Sequence, residues 1–208
     1  MANHGGQTLL QAVGERVVAR YLDRSGMSAV EFVNPWPDPS VKSGVDLTYR
    51  FAGKTMKVKV KTDAYFGNDL RKIADRTLTY YRPEGESYAF EAISNAATRE
   101  PGWIFNSEAD ELHYYLLALS QPEEEAAALM VEPDEVFFGE LKIDRDELHI
   151  IPMRPLREWF EAHYEEYTPR PVIVGTHSAW FRIIPRDVVD GAIPGIRVVG
   201  SVFAGLAR

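Results

Sequence analysis

The stretch Thr55-Met56-Lys57-Val58-Lys59-Val60-Lys61-Thr62 alternates between apolar and charged side chains. Successive side chains of a β-strand point to opposite faces, so this alternation predicts a strand with one apolar and one charged face. The charged face carries three lysines, Lys57, Lys59 and Lys61. We interpret this lysine stripe in two ways, as the solvent-exposed side of the strand or as a surface that contacts phosphates.

The segments on either side of this strand predict an α/β core. Residues 7–24 carry apolar side chains at helical spacing and precede Gly26, which favours the end of a helix. Further elements are predicted as short strands at 29–34 and 44–51, a helix at 68–80 and a strand at 87–94. Short connections favour an antiparallel meander of the first three strands, and the helix favours a right-handed crossover to a parallel strand. We therefore expect the strand at 87–94 to lie beside the strand at 55–62.

The second half of the chain predicts further strands and a helix. They are an apolar run at 112–119, a helix at 155–164 and late strands at 172–174 and 180–184. The best candidate for a junction lies at 121–133. We divide the chain there into residues 1–120, a core, and residues 121–208, a C-terminal elaboration packed on it, and expect one compact domain.

The composition excludes several classes of protein. The 208 residues are 45% hydrophobic and 26% charged, which is typical of globular domains. The chain has no cysteine, so disulfides and thiolate metal sites are excluded and a reducing compartment is expected. It has no signal-peptide core and no apolar stretch of membrane-spanning length. These features predict a cytoplasmic protein without a membrane partner.

The net charge of −8 is unevenly distributed along the chain. Residues 41–80 carry nine Lys/Arg and four Asp/Glu, a net +5, whereas residues 81–170 carry seven and twenty-one, a net −14. An acidic protein is a poor general binder of nucleic acid, but a basic segment can bind phosphate locally. The alternative is a solvated charged face.

Three motifs around the lysine strand resemble one known superfamily. They are the helical stretch Gly14-Glu15-Arg16-Val17-Val18-Ala19-Arg20-Tyr21-Leu22, the strand start Gly44-Val45-Asp46 and the triplet Lys59-Val60-Lys61. This layout, over residues 7–95, resembles the PD-(D/E)XK nuclease superfamily, especially its small resolvase-like members. The resemblance implies a restriction-endonuclease-like αβββαβ core with a mixed sheet, followed here by the C-terminal α/β elaboration.

The resemblance also implies roles for individual residues. Asp46 takes the position of the first metal ligand, Lys61 that of the catalytic lysine, and Glu15 that of an acid on the first helix. Carboxylates of this kind hold Mg²⁺ or Mn²⁺, which activates water for phosphodiester hydrolysis, and the lysine stabilises developing charge.

This sequence departs from the motif at one position. The second acid of the family falls on Lys59, which cannot bind a cation. Glu91 is the first candidate to replace it as a metal ligand, because a parallel crossover would bring its strand beside the lysine strand. Asp63 and Asp69 are further candidates.

Three functions follow as hypotheses. The first is a metal-dependent endonuclease or a related DNA-binding protein, with Asp46, Lys59 and Lys61 at the catalytic position. The second is a catalytically inactive nuclease-fold protein that binds nucleic acid through Lys57, Lys59 and Lys61 or serves as a protein-interaction module. The third is an acidic α/β interaction module whose lysines face solvent. DNA is expected before RNA as the partner, and a homodimer is a further expectation.

Overall fold

The computed structural model of the chain describes residues 9–33, 44–64, 87–174 and 176–206. Its helices are α1 (Leu9–Arg24), α2 (Trp103–Asn106), α3 (Glu123–Leu129), α4 (Asp134–Glu140), α5 (Met153–His163) and α6 (Arg186–Ala192). Its strands are β1 (Ser28–Phe32), β2 (Leu47–Phe51), β3 (Lys54–Ala64), β4 (Ser87–Asn95), β5 (Glu100–Pro101), β6 (Glu111–Leu119), β7 (Ile143–Pro152), β8 (Pro169–Val174), β9 (His177–Pro185) and β10 (Arg197–Gly200). In this part of the chain, no helix is both long and apolar enough to cross a membrane.

The alternating stretch at 55–62 lies within β3, as predicted, and its apolar face is covered by α1. Val58 and Val60 are fully buried in a core that they share with Val13, Val17 and Val18 of α1. The helix predicted at 7–24 corresponds to α1 from Leu9 onward. The helix predicted at 68–80, and Asp69 with it, lies outside the described residues.

Within the described ranges, six strands form a first sheet in the order β1-β2-β3-β6-β7-β10. β1, β2 and β3 are antiparallel neighbours, which confirms the predicted meander. β3 and β6 run parallel, and β7 is antiparallel to both β6 and β10. The sheet is therefore mixed, as expected for an α/β protein.

The prediction that the strand at 87–94 lies parallel to β3 and beside it was wrong. β4, the strand predicted at 87–94, belongs to a second sheet of order β5-β4-β9-β8, and the strand beside β3 is β6. The physical reason lies in burial. A parallel central strand is covered on both faces, and Leu112–Leu117 of β6 are buried without interruption, whereas β4 alternates between buried and half-buried residues.

The first sheet is the middle layer of the described structure. One face packs against α1, α3 and α4, and the other packs against the second sheet and α5. The segment from residue 121 onward supplies β7 and β10 to the first sheet and β8 and β9 to the second. Both halves of the chain therefore contribute strands to both layers.

Candidate functional site

Asp46 lies where β2 separates from β3. Its N–H donates to Val58 O at 2.8 Å, and its carbonyl accepts the N–H of Val33 at 2.9 Å, so its backbone continues the sheet on both sides. Its carboxylate then takes the next position in the ladder, because Oδ2 accepts the N–H of Val60 at 2.7 Å. The strand predicted from 44 begins only at Leu47, and Gly44 before it has a left-handed φ of 60°.

Lys59 is the direct partner of Asp46. Its Nζ lies 3.0 Å from Oδ2 and 3.1 Å from Oδ1 of Asp46, so one ammonium contacts both carboxylate oxygens. The two side chains are only 17% and 19% exposed. A part-buried pair of this kind is screened less by salt than a surface pair. Lys59, the residue expected at the position of the second acid, therefore neutralises Asp46.

Lys61 lies on the same face of β3 but has a different partner. Its ammonium pairs with Asp63 and also contacts Thr62 O at 3.3 Å. The hydroxyl of Tyr114, on the neighbouring strand β6, donates to Asp63 and accepts the N–H of Ala89 at 2.9 Å. Burial, followed by the nearby Asp63 charge, raises the pKa of Tyr114, which keeps this hydroxyl as a donor.

Glu91 approaches the lysines from the second sheet rather than from a strand beside β3. Its Oε1 accepts the N–H of Trp103 at 3.3 Å. Burial raises the pKa of the Glu91 carboxyl, while the Trp103 N–H and the charges of Lys59 and Lys61 oppose that rise. Glu91 therefore contributes a carboxylate to the electrostatic surroundings of both lysines, and its hydrogen bond goes to the α2 backbone.

Glu15 is connected to β3 through Gln11, which the sequence reasoning did not identify. Gln11 Nε2 donates to Glu15 Oε1 and to Val60 O, both at 2.8 Å, and Gln11 Oε1 accepts the N–H of Thr62 at 2.9 Å. The Gln11 amide thus binds the β3 backbone as a neighbouring strand would. Together, the side chains of Asp46 and Gln11 complete the ladder of β3 beyond the point where β2 leaves it.

The lysines of β3 differ in exposure. Lys57 is 47% exposed and pairs with Glu108 at 3.0 Å, and Lys54 pairs with Asp110 at 3.6 Å. Lys59 and Lys61 are mostly covered. The face formed by Lys57, Lys59 and Lys61 is therefore neither uniformly open to solvent nor a uniform phosphate surface. Each of the three lysines has a carboxylate partner, and only Lys57 is exposed.

The residues expected to hold Mg²⁺ or Mn²⁺ do not form a fitting donor set. Asp46 is engaged by Lys59 and the Val60 N–H, Glu15 accepts from Gln11, and Glu91 accepts from the α2 backbone. Among the residues with described positions, no group of three or more His, Asp or Glu side chains could hold a metal ion. The ammonium of Lys59 supplies the positive charge that a cation would bring to Asp46.

A second polar feature is the sequence Asp-Glu-Leu-His, which occurs at 110–113 and again at 146–149. The two copies lie on the adjacent antiparallel strands β6 and β7. In each copy the glutamate bonds the buried histidine, with Glu111 Oε2 3.0 Å from His113 Nε2 and Glu147 Oε1 2.6 Å from His149 Nε2. This short repeat was not identified from the sequence.

Comparison with known proteins identifies no family for this chain. No family model matches the chain, and neither the curated proteins nor the solved structures include a significant match.

Proposed function

We propose that this chain is a DNA-binding protein built on a restriction-endonuclease-like, PD-(D/E)XK-related core in which an internal lysine replaces the catalytic metal. The protein then binds nucleic acid, DNA before RNA, without hydrolysing it by the metal-dependent route. An active endonuclease is the alternative that the experiments below distinguish.

One observation carries the proposal, the contact of Lys59 Nζ with both carboxylate oxygens of Asp46. A divalent cation at Asp46 would have to displace this ammonium or lie against it, and both options cost electrostatic free energy. Members of the resembled superfamily place an acid at the position that Lys59 occupies here. The substitution removes one ligand and adds a positive charge at the same point.

The nucleic-acid part of the proposal is supported by charge. Residues 44–64, which include β2 and β3, carry five Lys/Arg and two Asp/Glu, a net +3 in a chain of net −8. Lys57 is the exposed member of the stripe, and its pair with Glu108 is a surface pair. Such pairs contribute only about 0–1 kcal/mol, so a phosphate can replace Glu108 at little cost. We assign phosphate contact to Lys57 first, and internal charge balance to Lys59 and Lys61.

The metal part is tested by Lys59→Glu, with Lys57→Glu as the matched control. Both variants make the same charge change on the same face of β3, two residues apart. Lys59→Glu should place a second carboxylate beside Asp46 and create Mn²⁺ binding that the wild-type chain and Lys57→Glu lack. Calorimetric titration with Mn²⁺ measures the binding, and a supercoiled plasmid assay measures cleavage. Mn²⁺-dependent cleavage by the wild-type chain that Asp46→Asn abolishes would overturn the proposal in favour of an endonuclease.

The binding part is tested by fluorescence anisotropy with labelled single-stranded, duplex and branched DNA at two salt concentrations. Binding should weaken as salt rises, because phosphate contacts release counterions. Flat curves for all three DNAs at low salt would reject nucleic-acid binding and leave the acidic interaction module as the remaining hypothesis.

A further inference from the structure

On its β6 side the hairpin between β2 and β3 extends beyond the first sheet, whereas on its other side β1 pairs with β2 as far as Ser28↔Arg50. β2 pairs with β3 from Leu47↔Val58 to Phe51↔Lys54, but the pairing of β6 with β3 begins only at Val58. The last point of attachment on the β6 side is Lys57, whose O and N–H bond to Asp110. We call residues 50–54 the hairpin tip. A β-carbon added to Gly53 would meet no atom within 4 Å, so the turn lies in open surroundings.

The turn itself is tight. Ala52 and Gly53 have φ angles of 49° and 81°, the left-handed pair that two-residue hairpins require. A left-handed conformation is unfavourable for alanine, and the cross-strand pairing of β2 and β3 holds it. The tip is therefore a defined turn, which β1 flanks only at Arg50.

An exposed aromatic ring lies at this tip. Phe51 is 57% exposed, a larger fraction than for Phe32 at 43% or Trp180 at 36%. Arg50 precedes it and Lys54 lies opposite it in the strand register, and both are exposed. Lys57, also exposed, follows along β3 toward Lys59. Lys54 lies on the same face as Phe51, as do Tyr49 and Met56 further along the hairpin, whereas Arg50 and Lys57 point to the opposite face.

We propose that the hairpin tip stacks Phe51 on an unpaired base of a nucleic acid while Lys54, on the same face, contacts the adjacent phosphate. The proposal rests on the proposed function and specifies its ligand, a single strand or a DNA with unpaired bases rather than a blunt duplex. An aromatic face stacks on any base, and a flanking cation matches the charge of the backbone. Asp110 is 3.6 Å from Lys54 in an exposed pair that a phosphate can displace.

The exposed Lys54 directly opposite the ring favours this ligand over an apolar protein partner. An anionic membrane surface also attracts aromatic and basic side chains. The experiment therefore includes vesicles of phosphatidylserine and phosphatidylcholine as a separate arm.

The test uses the full chain with Phe51→Ala and Phe51→Trp, and Phe32→Ala as the control for loss of an exposed phenylalanine elsewhere. Anisotropy is measured with labelled oligothymidine and with a blunt duplex at two salt concentrations. Phe51→Ala should weaken binding of the single strand about tenfold, the usual effect of losing one stacked base, and change duplex binding by less than about twofold. Its salt slope should stay the same, because Phe51 contacts no phosphate. Phe51→Trp should retain affinity and gain fluorescence quenching on binding.

Each alternative outcome has a distinct meaning. If the wild-type chain binds neither DNA, the proposed function fails together with this inference. If it binds DNA but Phe51→Ala has no effect, or weakens single-strand and duplex binding equally, only the role of the tip is rejected. Phe51-dependent binding to the vesicles without binding to DNA would assign the tip to membranes instead. Melting temperatures of all variants control for folding.

Discussion

A β-carbon on Gly14 would lie 1.9 Å from Oγ1 and 2.7 Å from Cγ2 of Thr62. Gly14 is in the middle of α1, and Thr62 is a buried residue of β3. The helix and the strand are thus in contact at a point where no side chain fits. Because Gln11 bonds the β3 backbone one turn earlier in α1, this contact also fixes the helix that positions Glu15.

Gly14→Ala should therefore destabilise the fold. Overpacking costs about 1–3 kcal/mol, and the better helix propensity of alanine returns about 1 kcal/mol. Gly139→Ala is the matched control, since a β-carbon there meets no atom within 4 Å and α4 gains helix propensity. Urea unfolding should show a lower free energy for the first variant and an equal or higher one for the second. Equal stability of both variants would show that α1 can move away from β3 without cost.

Asp146 anchors the C-terminal turn. Its carboxylate accepts Ser201 Oγ at 2.5 Å, the N–H groups of Val202 and Phe203 at 2.8 and 2.9 Å, and Tyr115 OH at 3.0 Å. Asp146→Asn keeps the shape but replaces one acceptor oxygen by a donor, so we expect a loss of about 2–4 kcal/mol from charge-assisted and buried bonds. Asp144→Asn, at an exposed position of the same strand, should change stability by less than about 0.5 kcal/mol. Thermal unfolding of the pair measures the difference.

The two buried histidines make stability depend on pH. Burial lowers the pKa of His113, although its bond to Glu111 acts in the opposite direction. Burial also lowers the pKa of His149, helped by Arg186 and opposed by Glu147 and Asp190. Above pH 6.5 both histidines are neutral in the folded and unfolded states. Below pH 6.5 the unfolded chain takes up protons that the folded chain does not. The free energy of unfolding therefore decreases as the pH is lowered, by up to about 1.4 kcal/mol per pH unit for each histidine.

His113→Gln should reduce this dependence by up to one proton while keeping a donor for Glu111. Urea unfolding between pH 7.5 and 5 measures the slope. The pKa values of Glu111 and Glu147 are lowered in the fold, mainly by their histidine bonds working against burial. The stabilisation from these two carboxylates is present above their usual pKa and is lost as the pH falls through their lowered pKa in the folded protein. A wild-type slope of zero between pH 7.5 and 5 would contradict this account of the histidines.

The sequence predicted the elements whose signal is local. The alternation at 55–62 and the helical spacing at 7–24 each specify one buried face, and both elements are present. The neighbour of β3 was not predictable in the same way, because the choice between β4 and β6 depends on which strand can be buried on both faces. That difference is visible in the sequence only as the uninterrupted apolar run after His113.

The sequence predicted residues of the candidate site but not which of them contact each other. Asp46 and Lys59 were identified, yet their contact depends on β2 leaving β3 at Asp46, which no periodicity encodes. Gln11 was missed because a glutamine on an amphipathic helix gives no signal of binding a strand 49 residues away from it in sequence. Glu91 was expected in the wrong sheet, and only the tertiary packing brings its charge near the lysines.

The exposure of Lys57 leads to a prediction about salt dependence. Each phosphate neutralised on a DNA duplex adds about 0.9 to the slope of log affinity against log salt concentration. Lys57→Gln should therefore lower the slope for duplex DNA by about 0.9, because its pair with Glu108 is open to solvent and a phosphate can replace that partner. Lys59→Gln should lower the slope by much less, because its charge already balances Asp46 in a largely covered pair.

Fluorescence-anisotropy titrations of both variants across several salt concentrations measure the two slopes, and Arg154→Gln on α5 serves as a control for loss of a positive charge elsewhere. Arg154 is exposed and pairs only loosely with Glu158, at 3.7 Å. The free energy of unfolding should change little for Lys57→Gln, and should fall for Lys59→Gln, since Asp46 would then lose its charged partner. Slopes lowered equally by the two lysine substitutions would mean that Lys59 leaves Asp46 on binding DNA. A slope that Lys57→Gln leaves unchanged would mean that Lys57 is not part of the DNA interface.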